Sequence, residues 1–397
     1  MTVSDQEIIS RFPVGYYPLH PNVSLNFQLN RFYGWANDDQ MLAEIRAAAP
    51  RISSYADWTR EMLELSDNAL AANRPLPAAY YSRGAQFFLD PGDPRYQPAL
   101  HRFLDNVLAG NGVTEGDHHL LPYQGAQLSA YRFTPAQPRG TIVVFGGFDS
   151  YIVEWLPAAR ALRDAGLDIV IFDGPGQGTV LDAGTPMTPD WHLPVAAVLD
   201  YFGLTDVTLM GFSLGGCLVM RAAAREPRVS RVIAFDIMTD LFECVTRTPG
   251  TAGLAALAAE DAEIPASVID AATEAFAKTD LLTEWAFHQA ERVMGVATPA
   301  EVFKVWREYN TEDVSPLVTQ DVLLMAGAKD HYVPLHQLGD QLLTLTDVRS
   351  VSARVFTETE QAQNHCQIGN TGLAIKVILD WLDAVGGRTV DPEGSLR

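Results

Sequence analysis

One serine in this chain stands where it could attack a carbonyl. The run Met210-Gly211-Phe212-Ser213-Leu214-Gly215-Gly216 carries glycines two residues before and two residues after Ser213. The apolar stretch Val207 to Met210 reads as a buried strand, and the Ala- and Leu-rich stretch beyond reads as a helix. A serine on such a strand-to-helix elbow takes strained dihedrals, and glycine neighbours remove the Cβ atoms that would collide. The helix that follows points its N–H groups and positive dipole end at the same spot, which stabilises negative charge developing there. A plain βα turn would explain the glycines alone. The strand before and the helix after favour a nucleophile.

A serine hydroxyl needs a histidine to take its proton, and that histidine needs a carboxylate to hold its tautomer. On an elbow of this type the partners follow in the order Ser, Asp or Glu, His. Gln361-Ala362-Gln363-Asn364-His365-Cys366 puts His365 in a polar loop after the last expected strand. His20, His101, His118 and His119 precede the nucleophile, His192 falls in the wrong βα unit, His288 in an inserted segment, and His331 and His336 come too early. Two aspartates compete for the acid. Asp330 lies in the loop Ala326 to Pro334 after one strand, and Asp236 follows the strand before it. Asp330 is favoured, and Asp236 is the alternative, with a helix cap or hinge as its ordinary role.

The oxyanion needs two donors. One is the backbone N–H of Leu214, and the other is expected from Gly146-Gly147-Phe148-Asp149, as the N–H of Phe148. Asp149 and Glu154 near that loop could touch substrate, though a solvated helix start explains them equally well. Metal use is not expected. His118 and His119 are adjacent, so they cannot share one face of an element, and Asp330-His331 is already engaged by the acid. Neither G-x-x-x-x-G-K-[S/T] nor G-x-G-x-x-G follows a strand, so no nucleotide cofactor is expected.

These residues need a scaffold, and the pattern changes near residue 115. Before it, apolar residues recur at helical spacing in Asp38 to Ala49, Tyr55 to Ala72 and Gln97 to Leu108. Joints such as Arg74-Pro75-Leu76-Pro77 and Asp90-Pro91-Gly92-Asp93-Pro94 separate them. After it, strands are expected at Ala126 to Phe133, Thr141 to Phe145, Leu167 to Phe172, Val207 to Met210, Val229 to Phe235, Val322 to Met325 and Ala353 to Phe356, alternating with helices. The expected division is a helical segment over 1–115, an α/β core over 116–237 and 311–397, and a helical lid over 238–310. Trp285 and Trp306 of that lid are candidates to line an apolar substrate pocket.

Composition narrows the field. The 397 residues are 47% hydrophobic and 19% charged, enough to bury a large core. A formal net charge of −21 repels phosphate backbones and anionic lipid. Three scattered cysteines make no disulfide framework. MTVSDQEIIS lacks a cationic, apolar leader, so a soluble cytoplasmic chain is expected. Its expected partner is a small-molecule substrate, with no nucleic acid, no membrane and no cofactor; a homodimer is left open.

The elbow, the Gly-Gly loop, the Asp loop and the late His resemble, in that order, the α/β-hydrolase superfamily over roughly residues 119 to 390. The long N-terminal helical segment and the turn Asp173-Gly174-Pro175-Gly176-Gln177-Gly178 are similar to one branch of it. That branch holds the fermentation-respiration-switch-like esterases, the 2,6-dihydroxypseudooxynicotine hydrolases and the fungal pigment-pathway hydrolases that shorten polyketide chains. The resemblance implies a serine hydrolase with an N-terminal helical domain and a lid, cutting an ester or a C–C bond beside a ketone. Gly146 departs from it, since many members carry His there. An acyltransferase with the same triad and a non-catalytic binding protein of this fold are the competing readings.

Overall fold

The structure, a computed structural model, describes residues 4–247, 249–258 and 264–386. Eight strands form one sheet: β1 (His118–Tyr123), β2 (Ala126–Phe133), β3 (Thr141–Phe145), β4 (Asp168–Asp173), β5 (Val207–Phe212), β6 (Val229–Phe235), β7 (Asp321–Gly327) and β8 (Ser350–Phe356). Their spatial order is β1-β2-β4-β3-β5-β6-β7-β8. β2 runs antiparallel to β1 and β4, and every other pairing is parallel. Continuous apolar runs arise because the central strands are buried on both faces. Ile142, Val144, Met210 and Ile233 enter one core, and their neighbours Val143, Phe145, Leu209 and Val232 enter the other.

The chain steps from β3 to β4 on one side and then returns to β5 on the other. Strand order therefore reverses at the β3–β5 pair, which opens a crevice at the carboxyl ends of these strands. The register aligns Phe145 with Gly211, Phe212 with Phe235, and Phe235 with Met325. The loops after β3, β5, β6 and β7 thus begin at nearly one level.

Helices supply the rest. Those preceding β1 are Asp5–Ile9, Val23–Ala36, Asp39–Ala48, Tyr55–Ala71, Pro75–Phe87 and Tyr96–Gly110. Local caps start several of them: Asp38 accepts from Met41 N–H, and Ser54 from Asp57 N–H. Between β6 and β7 lie helices Leu241–Thr246, Pro249–Leu257, Ala266–Ala277, Leu281–Met294 and Pro299–Trp306.

One local expectation is corrected, and two elements went unread. The joint at Arg74-Pro75-Leu76-Pro77 is the start of helix Pro75–Phe87, because proline is tolerated in a first turn whose N–H groups need no intrahelical partner. Helix Val23–Ala36 escapes periodicity because its polar Asn26, Gln28, Asn30 and Arg31 are buried along with its apolar residues, leaving no stripe. Strand β1 buries only Leu121 and Tyr123, too few to register as a strand pattern.

Candidate active site

Ser213 follows β5 with φ of 59°, and its N–H donates to Phe235 O at 2.8 Å. The glycines around it have the steric reason expected. A Cβ on Gly211 would lie 2.0 Å from Gly215 O, and one on Gly147 would lie 2.7 Å from Phe212 O. Helix Gly215–Ala223 starts immediately after the elbow.

His365 sits in a short turn between β8 and helix Thr371–Gly386. Its Nε2 is 2.8 Å from Ser213 Oγ, and its Nδ1 is 2.6 Å from Asp330 Oδ2. The acid loop and the histidine loop are tied directly: Lys329 N–H donates to Gln363 O at 2.8 Å, and Ala328 N–H to Phe356 O at 2.9 Å. The other oxygen of Asp330 accepts from Tyr332 N–H at 2.7 Å and Val333 N–H at 3.0 Å.

Asp236 also approaches the ring, at 3.8 Å from Nδ1, beyond hydrogen-bond range. Its oxygens are taken elsewhere. Oδ2 accepts from Cys366 N–H at 2.9 Å and Oδ1 from Gln367 Nε2 at 3.0 Å. The structure therefore brings Asp330 to the histidine and uses Asp236 to hold the backbone beside it.

Burial opposes ionisation of Asp330, but the charge of His365 and its hydrogen bond outweigh it and hold the carboxyl down at about 2. Burial likewise works against the His365 cation, yet the charge of Asp330 outweighs it and raises that ring well above its ordinary value. Asp236 goes the other way: burial, then repulsion from Asp330, push it well above the usual carboxylate range. Burial lowers His331 to about 4, so the ring beside Asp330 is neutral at pH 7.

Ser213, His365, Phe148 and Leu214 line a mostly apolar cavity together with Phe27, Met238, Trp285, Trp306, His331 and Tyr332. Asp149 lines it too, with its carboxylate on Arg31 at 3.0 Å. Glu154 requires a correction. It is fully buried outside the cavity lining and bound by Arg31 at 2.7 Å and Arg83 at 2.7 Å. Two arginine partners remove it both from the substrate and from solvent.

Sequence reasoning missed Phe27, Arg31, Arg83, Gln177, Gln289 and Gln367. Only Gln177 had a visible signal, since it belongs to the Asp173–Gly178 turn. Among the described residues, the one His/Cys/carboxylate group close enough to share an ion is Asp236, His365 and Cys366. Its donors are engaged, with Asp236 on Cys366 and Gln367, and His365 between Ser213 and Asp330.

A family model described as alpha/beta hydrolase fold matches residues 140–342. Hydrolase LUC6 of Fusarium sp is 28% identical over 418 residues, spanning 94% of this chain and 98% of its own length. The 20-hydroxy-prefusarin hydrolase FUS2 of Gibberella moniliformis is 29% identical over 296 residues, spanning 68% of this chain and 70% of its own. Among solved structures, AbyA5 superposes with a TM-score of 0.67 at 19% identity, covering 92% of this chain and 95% of AbyA5. The 2,6-dihydroxy-pseudo-oxynicotine hydrolase superposes with a TM-score of 0.62 at 20% identity, covering 90% and 95%. At such identities the structural likeness speaks for the fold.

Proposed function

The chain belongs to the α/β-hydrolase fold family and is a hydrolase, and from that premise we propose that it is a serine hydrolase of medium-sized apolar carbonyl compounds. One observation carries the reading: the unbroken line from Asp330 to His365 to Ser213, at 2.6 and 2.8 Å, ending in an apolar cavity. Ser213 Oγ attacks the carbonyl while His365 Nε2 takes its proton, and Asp330 keeps the Nδ1–H tautomer and stabilises the imidazolium. The N–H groups of Phe148 and Leu214 hold the oxyanion. His365 then returns its proton to the leaving group, and water clears the acyl-enzyme. The leaving group is an alcohol in an ester or a stabilised carbanion beside a ketone.

In this reading the described residues of 238–310 act as a lid, and those of 1–115 as a helical domain closing the pocket from the other side; residues 1–3, 248 and 259–263 of these ranges lie outside the described residues. Support comes from the lining itself, which draws Phe27 and Arg31 from one and Met238, Trp285 and Trp306 from the other. The partner is a small molecule. Among the described residues no helix is long and apolar enough to cross a membrane.

The test is labelling by a fluorophosphonate probe, with turnover of p-nitrophenyl esters and aryl β-diketones. Wild type should label and turn over, and Ser213→Ala should do neither while keeping its melting temperature. His365→Ala should lose about as much turnover as Ser213→Ala, because such residues act as a unit. More than about a tenth of wild-type turnover in either variant contradicts the assignment.

A further inference from the structure

The loop after β3 presents four consecutive carbonyls, held by three side chains from different parts of the chain. Gln177 Nε2, in the turn after β4, donates to Gly147 O at 3.1 Å and to Gly146 O at 2.7 Å. Gln289 Nε2, on helix Leu281–Met294 of the insertion between β6 and β7, donates to Phe148 O at 3.2 Å. Arg83, on helix Pro75–Phe87, donates to Asp149 O at 2.6 Å. The orientation of the Gln177 amide is set by its neighbours, since its Oε1 accepts from Gly174 N–H at 3.1 Å. That side chain is 1% exposed, so water cannot substitute for it.

A trans peptide holds its C=O and its N–H in one plane, pointing in opposite directions. Anchoring Gly147 O on Gln177 therefore turns the Phe148 N–H away from Gln177. Gly147 lies against the elbow, where a Cβ would be 2.9 Å from Leu214 N. Neither the Phe148 N–H nor the Leu214 N–H has a hydrogen-bond partner among the described residues. An oxyanion needs donors left free and held still.

We propose that Gln177 is the positioning residue of the oxyanion hole, and that Gln289 and Arg83 fasten the same loop to the insertion and to the N-terminal helices. The hole is then fully formed only when both helical regions are docked on the sheet. This rests on the reading of Ser213 as nucleophile. A merely structural glutamine would support the turn after β4 and leave transition-state binding unchanged.

The experiment uses Gln177→Met, which keeps side-chain length and removes the donor. With p-nitrophenyl butyrate, kcat should fall about ten- to a hundredfold with KM within about threefold, part of the loss seen when an oxyanion donor is deleted outright. Affinity for an alkyl trifluoromethyl ketone, which forms an oxyanion on the serine, should fall in parallel. Affinity for the methyl ketone of the same chain length should not change. Gln289→Met should move the same two readouts in the same direction, by about three- to tenfold. If Gln177→Met does not fold, Gln289→Met decides alone. Equal losses for both ketones, or a kcat within about twofold of wild type, overturn the inference while fluorophosphonate still labels the wild type. Failure of the wild type to label overturns the Ser213 reading and the inference together.

Discussion

Asp330→Asn and Asp236→Asn are chemically the same change beside the same histidine, and the structure assigns them very different costs. In Asp330→Asn, two backbone donors decide which way the amide faces. The N–H groups of Tyr332 and Val333, at 2.7 and 3.0 Å from the present Oδ1, require an acceptor, so the amide oxygen stays there. The amide NH₂ is left facing His365 Nδ1, where Oδ2 now sits at 2.6 Å. Nδ1 must then accept, and the ring proton moves to Nε2, pointing at Ser213 Oγ. That imidazole donates to the serine and cannot take its proton. The expected loss in kcat is about 10⁴-fold, or roughly 5 kcal/mol of barrier.

In Asp236→Asn the amide oxygen can keep the Cys366 N–H, and the NH₂ falls opposite Gln367. The Oε1 of Gln367 is buried and without a partner among the described residues, so turning that amide over presents an acceptor to the new donor. The high pKa direction of Asp236 agrees, since a carboxyl inclined to stay protonated already resembles an amide. About one neutral hydrogen bond is at risk, about 1 kcal/mol and roughly fivefold in rate. The assay is kcat on a p-nitrophenyl ester for both variants, with melting temperature to verify folding. Equal losses would refute the reasoning, and a larger loss for Asp236→Asn would move the acid to Asp236.

What could be read from the chain and what could not follow one physical division. Ser213, Asp330 and His365 each sit just past a strand, within a short segment whose glycines, polar residues or chain position carry the signal. Buried strands such as Thr141–Phe145 announce themselves by an uninterrupted apolar run, here Ile142 to Phe145, so their ends were legible too. Gln289 and Arg83 were silent as anchors of the loop after β3 because what they hold there is a backbone carbonyl, and a carbonyl has no residue type to recognise. Glu154 was misread because its environment depends on Arg31 and Arg83, 123 and 71 positions away. Helix Val23–Ala36 was hidden by being too well buried. An amphipathic stripe exists only where one face meets water, and that helix is enclosed by helices Pro75–Phe87 and Asp39–Ala48 and by the loops after β3 and β7.

Two further predictions concern pH and the pocket wall. His365 must be neutral to accept a proton, and the charge of Asp330 raises its pKa against burial. The acidic limb of kcat/KM should therefore fall above the ordinary histidine value of about 6.5, with activity lost as pH drops through it. In Asp330→Asn burial is left to dominate and the limb should move down; a wild-type limb below about 6 would contradict this. Trp285 and Trp306 both line the cavity, yet their surroundings differ. Trp306 is 1% exposed and packs on Phe287 and Phe303 with ring centroids 5.1 and 5.7 Å away. Trp306→Ala should cost about 3–5 kcal/mol of stability, because the surrounding rings cannot close over the vacated volume. Trp285 is only half-buried and stacks on Phe87 at 5.2 Å, joining the insertion to helix Pro75–Phe87, with Phe148 at 6.2 Å. Removing it opens the cavity beside the oxyanion loop without hollowing a core. Trp285→Ala should raise KM and shift preference toward bulkier acyl chains, with a smaller loss of stability than Trp306→Ala. Thermal melts and KM across p-nitrophenyl esters of increasing chain length separate the two, and a larger melting loss for Trp285→Ala would place that ring in the core instead of the pocket wall.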